Sequence, residues 1–315
     1  MSRGLGDVYK RQGVLMLARF LTGVSVGLVV SGGMANVVEH AQPHHKHFAS
    51  LMASVAMVAG AGTGPLLAGV VAQYFPNPMH TVFRIEIAIL CVALVALLNQ
   101  RNLKLGIGSF KPRLPTVAKQ NLGIVLLGIA FFGPGITSTS FILSLGPKLI
   151  ATFLGVNSPL VTGCMAFSMF LVAVTVQFAA KEFSSRTVFS LSGIATISSM
   201  IFVWIALKTG SAPWLITSAL LAGAGQGLGQ LGGLSLIADN VPAQRRAEAN
   251  AVFNMGGYVP AGAIPVLTGY LIDFWGVSIG ISSLALSIAS LASLALMQLW
   301  RRVPNQSQVR TDGEG

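Results

Sequence analysis

Residues 23–33 read Gly23-Val24-Ser25-Val26-Gly27-Leu28-Val29-Val30-Ser31-Gly32-Gly33, and residues 223–233 read Gly223-Ala224-Gly225-Gln226-Gly227-Leu228-Gly229-Gln230-Leu231-Gly232-Gly233. Laid over each other at an offset of 200, they align Gly23 with Gly223, Gly27-Leu28 with Gly227-Leu228, and Gly32-Gly33 with Gly232-Gly233. The register continues without a gap through Glu39 and Asp239, Ala49 and Ala249, Gly62 and Gly262, Pro65 and Pro265, and Gly69 and Gly269. A fixed-period match of glycines, prolines and an acidic residue across two apolar stretches and the loop between them is an internal repeat. The chain therefore carries two parallel copies of a helical unit.

Composition says where such units reside. Of 315 residues, 53% are hydrophobic and only 9% are Asp, Glu, Lys or Arg, against roughly 25% charged in a soluble domain. That deficit excludes a soluble enzyme, a secreted disulfide scaffold and a disordered chain. Nine windows are long and apolar enough to span a bilayer: 13–38, 47–75, 82–99, 121–146, 159–180, 187–207, 212–238, 249–273 and 277–300. Turn signals such as Pro76-Asn77-Pro78 and Gly210-Ser211-Ala212-Pro213 separate them. Continuous apolar character without strand-length alternation favours helices over a barrel. The expected fold class is an all-α polytopic membrane protein. Cys91 and Cys164 fall inside apolar windows and read as buried thiols.

The net charge of +11 is unevenly placed. Alternate loops hold Lys46; Arg101, Lys104, Lys111, Arg113 and Lys119; Lys181 and Arg186; Arg245 and Arg246; and Arg301, Arg302 and Arg310. The opposite loops hold only Lys148 and Lys208. The positive-inside rule puts the first set, and the C-terminus, in the cytoplasm. Nine spans that end inside must begin outside. The repeat makes the same point, because the helix beginning near Asn121 calls for a partner about eighty residues before Gly13. Three helices are thus expected upstream. Residues 13–99 form a partial N-terminal bundle, 100–120 a basic cytoplasmic linker, 121–300 a six-helix bundle and 301–315 a cytoplasmic tail.

Ser2-Arg3-Gly4-Leu5-Gly6-Asp7-Val8-Tyr9-Lys10-Arg11-Gln12 fits none of this and has no signal-peptide pattern. It resembles one reading frame of a transposon-type sequencing-library adapter, and residues 1–12 read as non-native. A short basic N-terminal tail is the alternative.

Two local motifs bring a family into view. Arg19-Phe20-Leu21-Thr22-Gly23 and Gly60-Ala61-Gly62-Thr63-Gly64-Pro65-Leu66-Leu67-Ala68-Gly69 resemble fourth- and fifth-helix patterns of the major facilitator superfamily, and residues 13–300 resemble its helices four to twelve. Ala68 stands where the family's fifth-helix pattern has a glycine. The resemblance implies two pseudo-symmetric helical halves and a secondary active transporter working by alternating access. The fifth-helix pattern is associated with proton-coupled exporters, so efflux of a drug-like or metabolite substrate is expected. An importer of a sugar or organic acid is the alternative, and a membrane sensor or enzyme a distant one. The partners implied are a small-molecule substrate, protons and the lipid bilayer of a bacterial inner (plasma) membrane, with the protein a monomer. Neither cofactor, metal nor nucleic acid is implied.

Particular residues carry the chemistry. Arg19 lies inside a span, where a charge costs several kcal/mol unless it pairs or snorkels. Glu86 is a rare carboxylate in the apolar segments and a candidate proton carrier, while Arg84 beside it reads as an interfacial anchor. Glu39 and Asp239 sit at equivalent helix ends, and the resemblance implies gate-locking charge networks there. Gly60 and Gly64 offer one smooth helix face for close packing, and Pro65 permits a kink. Gly23, Gly69, Gly262 and Pro265 extend the same packing and gating set. Polar residues on apolar helices are the substrate-lining candidates: Ser138 and Ser140, with Thr137 and Ser144 nearby; Gln177; Gln226 and Gln230; Asn254 and Tyr258.

Two patterns mislead. Gly227-Leu228-Gly229-Gln230-Leu231-Gly232 satisfies G-x-G-x-x-G, but that pattern needs a strand before it and a helix after it. His40, His44, His45 and His47 lie in a short loop without a clear ligand set.

Overall fold

A computed structural model describes residues 3–28, 42, 46–99, 116–155 and 157–302. Among these residues the chain forms nine α-helices, one short 3-10 turn and no strand. The helices are α1 (Arg3–Leu28), α2 (Lys46–Tyr74), α3 (Pro78–Leu98), α4 (Lys119–Leu154), α5 (Pro159–Ala179), α6 (Ser185–Thr209), α7 (Ala212–Asn240), α8 (Arg246–Trp275) and α9 (Val277–Arg302). The repeat is visible in their bounds: α2 starts at Lys46 and α8 at Arg246, 200 residues later. Six helices (α3, α4, α5, α6, α8 and α9) are long and apolar enough to cross a membrane. In α1 the apolar stretch is Gly13–Gly27. Both α2 and α7 have 29 residues, and the glycines and glutamines of α7 dilute its apolar character.

Local chemistry sets the breaks. Asn77 adopts a left-handed conformation, φ 54°, between α2 and α3, and Pro78 opens α3. Gly155 and Gly210 close α4 and α6 in the same left-handed region, which costs a glycine little. The Ser158 and Ser184 hydroxyls accept from the amides of Val161 and Thr187, capping the first turns of α5 and α6. A single residue, Gly276 at φ 86°, separates α8 from α9.

Some expectations change. The first helix begins at Arg3 and continues through residues 3–12, while 29–38 of its window lie outside the described residues. The helix at 121–146 is longer, 36 residues ending at Leu154, because Pro134 and Pro147 sit inside it without ending it. Cys91 and Cys164 are exposed, not buried. In a bilayer an apolar segment needs no protein cover, so an apolar window does not mark an interior residue.

The chain divides into two compact units, residues 1–60 and 61–315. The division falls within α2, and most of the 100–120 segment lies outside the described residues. In the second unit, the axis is α7. A methyl group on Gly223 or Gly227 would strike the Met169 or Ala173 carbonyl of α5. On Gly229 it would lie 3.0 Å from the Phe131 carbonyl of α4 and from Ser192 Oγ of α6. A methyl on Gly128 of α4 would lie 3.2 Å from the Gly233 Cα, and Gly233 itself is covered by the Phe253 ring of α8. Thus α7 meets α4, α5 and α6 at backbone distance and α8 through the Phe253 ring. These pairings also give direction: α4 and α6 run antiparallel to α7, and α5 runs parallel to it.

Around this axis lie apolar clusters. Phe132 stacks on Phe253 at 4.8 Å, and Phe131 on Phe189 at 4.7 Å. Between α6 and α7 the contact is polar: Ser192 donates to the Gly225 carbonyl at 2.8 Å, and Ser199 to the Ser218 carbonyl at 2.8 Å. By contrast, α3 buries none of its residues. Substituting Gly227 by Leu should cost about 1–3 kcal/mol by overpacking, lowering the thermal unfolding midpoint in detergent. Gly262, where a methyl would meet nothing within 4 Å, should accept Ala with an unchanged or higher midpoint.

Candidate functional site: a glycine seam and a neutral polar core

From Ala61 onward, α2 lies against α5. A methyl on Gly69 would come 2.6 Å from the Pro159 carbonyl oxygen, and one on Gly163 would come 2.6 Å from the Pro65 carbonyl oxygen. Gly62 faces Phe170 and Phe167, with 3.1 Å to the Phe170 Cβ. Numbers rise along α2 as they fall along α5, so the two helices are antiparallel with their backbones touching. Gly64, expected to form the smooth face with Gly60, would meet no neighbour with a methyl, and neither would Gly60 or Gly23 among the described residues. Close approach runs instead through Gly62 and Gly69, seven apart, which is two helical turns and hence one face. Their partner Gly163, a lone glycine in an apolar helix, was the residue the sequence did not single out. Pro65 sits on that face and leaves α2 continuous to Tyr74. The repeat-equivalent residues behave differently: Gly262 faces open space, and Pro265 lies inside a continuous α8.

The polar candidates fall into two groups. Hydroxyls on α4 are bonded to carbonyls: Thr137 to Gly133 at 2.7 Å, Ser138 to Gly135 at 2.6 Å, and Ser144 to Ser140 at 2.8 Å. Pro134 interrupts the amide ladder of this helix, and side-chain hydroxyls commonly cover carbonyls near such a break. Ser140 instead reaches across to the Ala261 carbonyl of α8 at 2.7 Å, tying the two helices. Ser138 is fully buried. These hydroxyls hold helices in register.

The amides are different. Gln226 and Gln230 are both buried on α7, each 8% exposed. The Gln226 backbone lies close against α4, since a methyl on Gly135 would be 3.0 Å from it. Its Oε1 is buried without a hydrogen-bond partner, and so are Gln177 Nε2 on α5 and Asn250 Oδ1 on α8. A buried polar atom left unpaired costs about 1–3 kcal/mol, and such atoms call for a functional explanation. Asn250, Asn254 and Tyr258 follow at four-residue spacing on one face of α8, and Tyr258 meets the Phe132 ring edge-on at 5.9 Å. Asn250 lies one turn before Asn254, a spacing that would have found it in the sequence.

The charged candidates are peripheral. Arg19 is exposed on α1 in the first unit. Glu86 and Arg84 are exposed on α3 in the second, and Asp239 is exposed near the end of α7. Glu39 lies outside the described residues. Among the described residues, no Asp, Glu, Lys or Arg is buried. The ion pair between Lys181 and Glu182, at 3.7 Å, is on the surface. Among the described residues, no group of His, Cys, Asp or Glu could hold a metal. The six-helix part of the second unit therefore presents a polar interior that is neutral, with spare amide hydrogen-bonding capacity. Replacing Gln226 by Met should raise folding stability by about 1 kcal/mol, because the unpaired acceptor is removed. Replacing Ser192 by Ala should lower it by a similar amount. Thermal unfolding of the two variants in the same detergent separates these signs.

No curated protein matches the chain. The sequence profile described as Major Facilitator Superfamily matches it over residues 9–181 and again over 122–314. Together with the internal repeat and the apolar helical bundle, this establishes that the chain is an integral, multi-pass membrane protein and belongs to the major facilitator superfamily of transporters.

Proposed function

We propose that this chain acts as a proton-coupled exporter of drug-like or metabolite compounds, working as a monomer by alternating access in a bacterial inner membrane with its C-terminus in the cytoplasm. The observation that carries this reading is the seam of α2 on α5. A contact made of glycines and backbone carbonyls is close, yet it interlocks no long side chains. Such a surface can part and reform as two rigid groups of helices rock about a central site. It is also directional. Gly69 is near the C-terminal end of α2 and Pro159 opens α5. With the Lys- and Arg-rich loops inside, both ends face outward, so the seam is the outer closure.

The interior supports the substrate class. Unpaired amides at Gln226, Gln177 and Asn250 offer neutral hydrogen bonds among aromatic and aliphatic walls. That suits an amphipathic compound better than an ionised sugar phosphate or dicarboxylate, which would call for Arg or Lys. The proton has to be carried elsewhere: Glu86 is the candidate carrier, and Arg19, always charged, is a candidate partner in the coupling.

Inside-out vesicles from cells expressing the gene test the whole reading. Addition of an amphipathic drug to energised vesicles should collapse part of the proton gradient, read by a pH-sensitive dye. Arg19→Ala should abolish that response, and substrate-induced proton movement that survives the change would remove Arg19 from coupling. No proton movement with any of a panel of amphiphiles would overturn the export assignment. For the seam, Gly163→Leu should disfavour the closed form by about 1–3 kcal/mol, roughly fivefold to 150-fold in its population. Transport should fall accordingly while the unfolding midpoint stays near that of the parent chain.

A further inference from the structure

A cavity of about 150 Å³ lies apart from the polar core, where α4, α8 and α9 meet. Leu145 and Leu149 of α4, Ile272 of α8 and Ile281 of α9 form its apolar floor. Lys148 and Asp273 also line it. Both are exposed, and no ion pair joins them. The cavity therefore presents one positive and one negative group that are not paired with each other.

Its depth follows from the neighbouring side chains. Asp273 is two residues from the end of α8, and Tyr270, Phe274 and Trp275 around it are all exposed. Exposed aromatics at the end of a membrane helix mark the level of the lipid headgroups. The volume is well below the ~300–1,000 Å³ typical of a site for a drug-sized molecule, which argues against a second substrate site. It suits a headgroup, with the remainder of the molecule lying along the exposed apolar helices.

We propose that this cavity binds a zwitterionic phospholipid of the phosphatidylethanolamine type. Its phosphate is held by the Lys148 ammonium and its own ammonium by the Asp273 carboxylate, while Leu145, Leu149 and Ile281 cover the first carbons of its tails. Charge complementarity selects this occupant: an anionic headgroup would satisfy Lys148 but face Asp273 with like charge. Gly269 keeps the space open, since it lines the cavity and a methyl there would meet nothing within 4 Å. The site rests on the chain being a membrane protein and is independent of the direction of transport.

The test is lipid retention by the full chain, purified in detergent micelles doped with phosphatidylethanolamine or phosphatidylglycerol of identical acyl chains and read by native mass spectrometry. The parent chain should retain phosphatidylethanolamine about tenfold better. Asp273→Asn should erase the preference between the two lipids, and Lys148→Gln should reduce retention of both. Gly269→Leu, whose Cβ would meet nothing within 4 Å, should fill the cavity and remove retention while leaving the unfolding midpoint unchanged, so a folded protein without the site is available. Equal retention of the two lipids by the parent chain, or parent-like retention by Gly269→Leu, would overturn the proposal.

Discussion

Within a bilayer, helices gain nothing by hiding apolar faces from each other, because lipid tails are as apolar as leucine. What holds them is proximity, and proximity needs small residues. The bundle formed by α4 to α9 depends on this constraint being met in one helix. Its glycines give α7 a surface without side chains, at positions 223, 225, 227, 229, 232 and 233, and each position admits a different neighbour. The Met169 and Ala173 carbonyls, the Ser192 and Thr196 hydroxyls, and the Phe189 and Phe253 rings all occupy space a methyl would take. Once α7 is fixed, the registers of α4, α5, α6 and α8 follow.

The two polar systems inside this bundle differ in kind. Serine and threonine hydroxyls are saturated by carbonyls, on their own helix or across to the next, and they hold helices in register. The amides of Gln226, Gln177 and Asn250 have atoms left over. Dispersion and hydroxyl bonds are enough to assemble the helices, so the unfilled amides stand out as groups whose presence assembly does not require. A buried neutral amide also avoids the desolvation cost that an ion would impose, which makes it an inexpensive way to keep a polar contact ready in an apolar bundle.

Much of the architecture was legible in the sequence, because glycines and prolines have few backbone alternatives and their spacing survives in the fold. The 200-residue register between Gly62, Pro65, Gly69 and Gly262, Pro265, Gly269 reappears as the 200-residue offset between the starts of α2 and α8. Contacts were less legible. Gly60 and Gly64 looked like the packing face because they are four apart, but the face that packs uses Gly62 and Gly69, and a spacing of seven serves a helix equally well. Gly163 could not be found from α2 at all, since a contact partner is a property of two helices and leaves no mark in one. Cys164 misled for a related reason. Apolar sequence reports the environment in sum, protein and lipid together, and only coordinates divide the two.

The dilution of α7 has a consequence for how the protein is made. Helix α3, apolar from Ile87 to its end and burying nothing, can leave the translocation channel for lipid unaided. By composition α7 partitions poorly, with its glycines and its two buried glutamines inside the stretch that must cross. It needs company at the channel. The Ser199 and Ser218 pairing with α6, close to the hairpin that joins them, supplies a partner synthesised just before it. The helix that organises the finished bundle is thus a dependent one during biosynthesis, entering the bilayer as half of a hairpin.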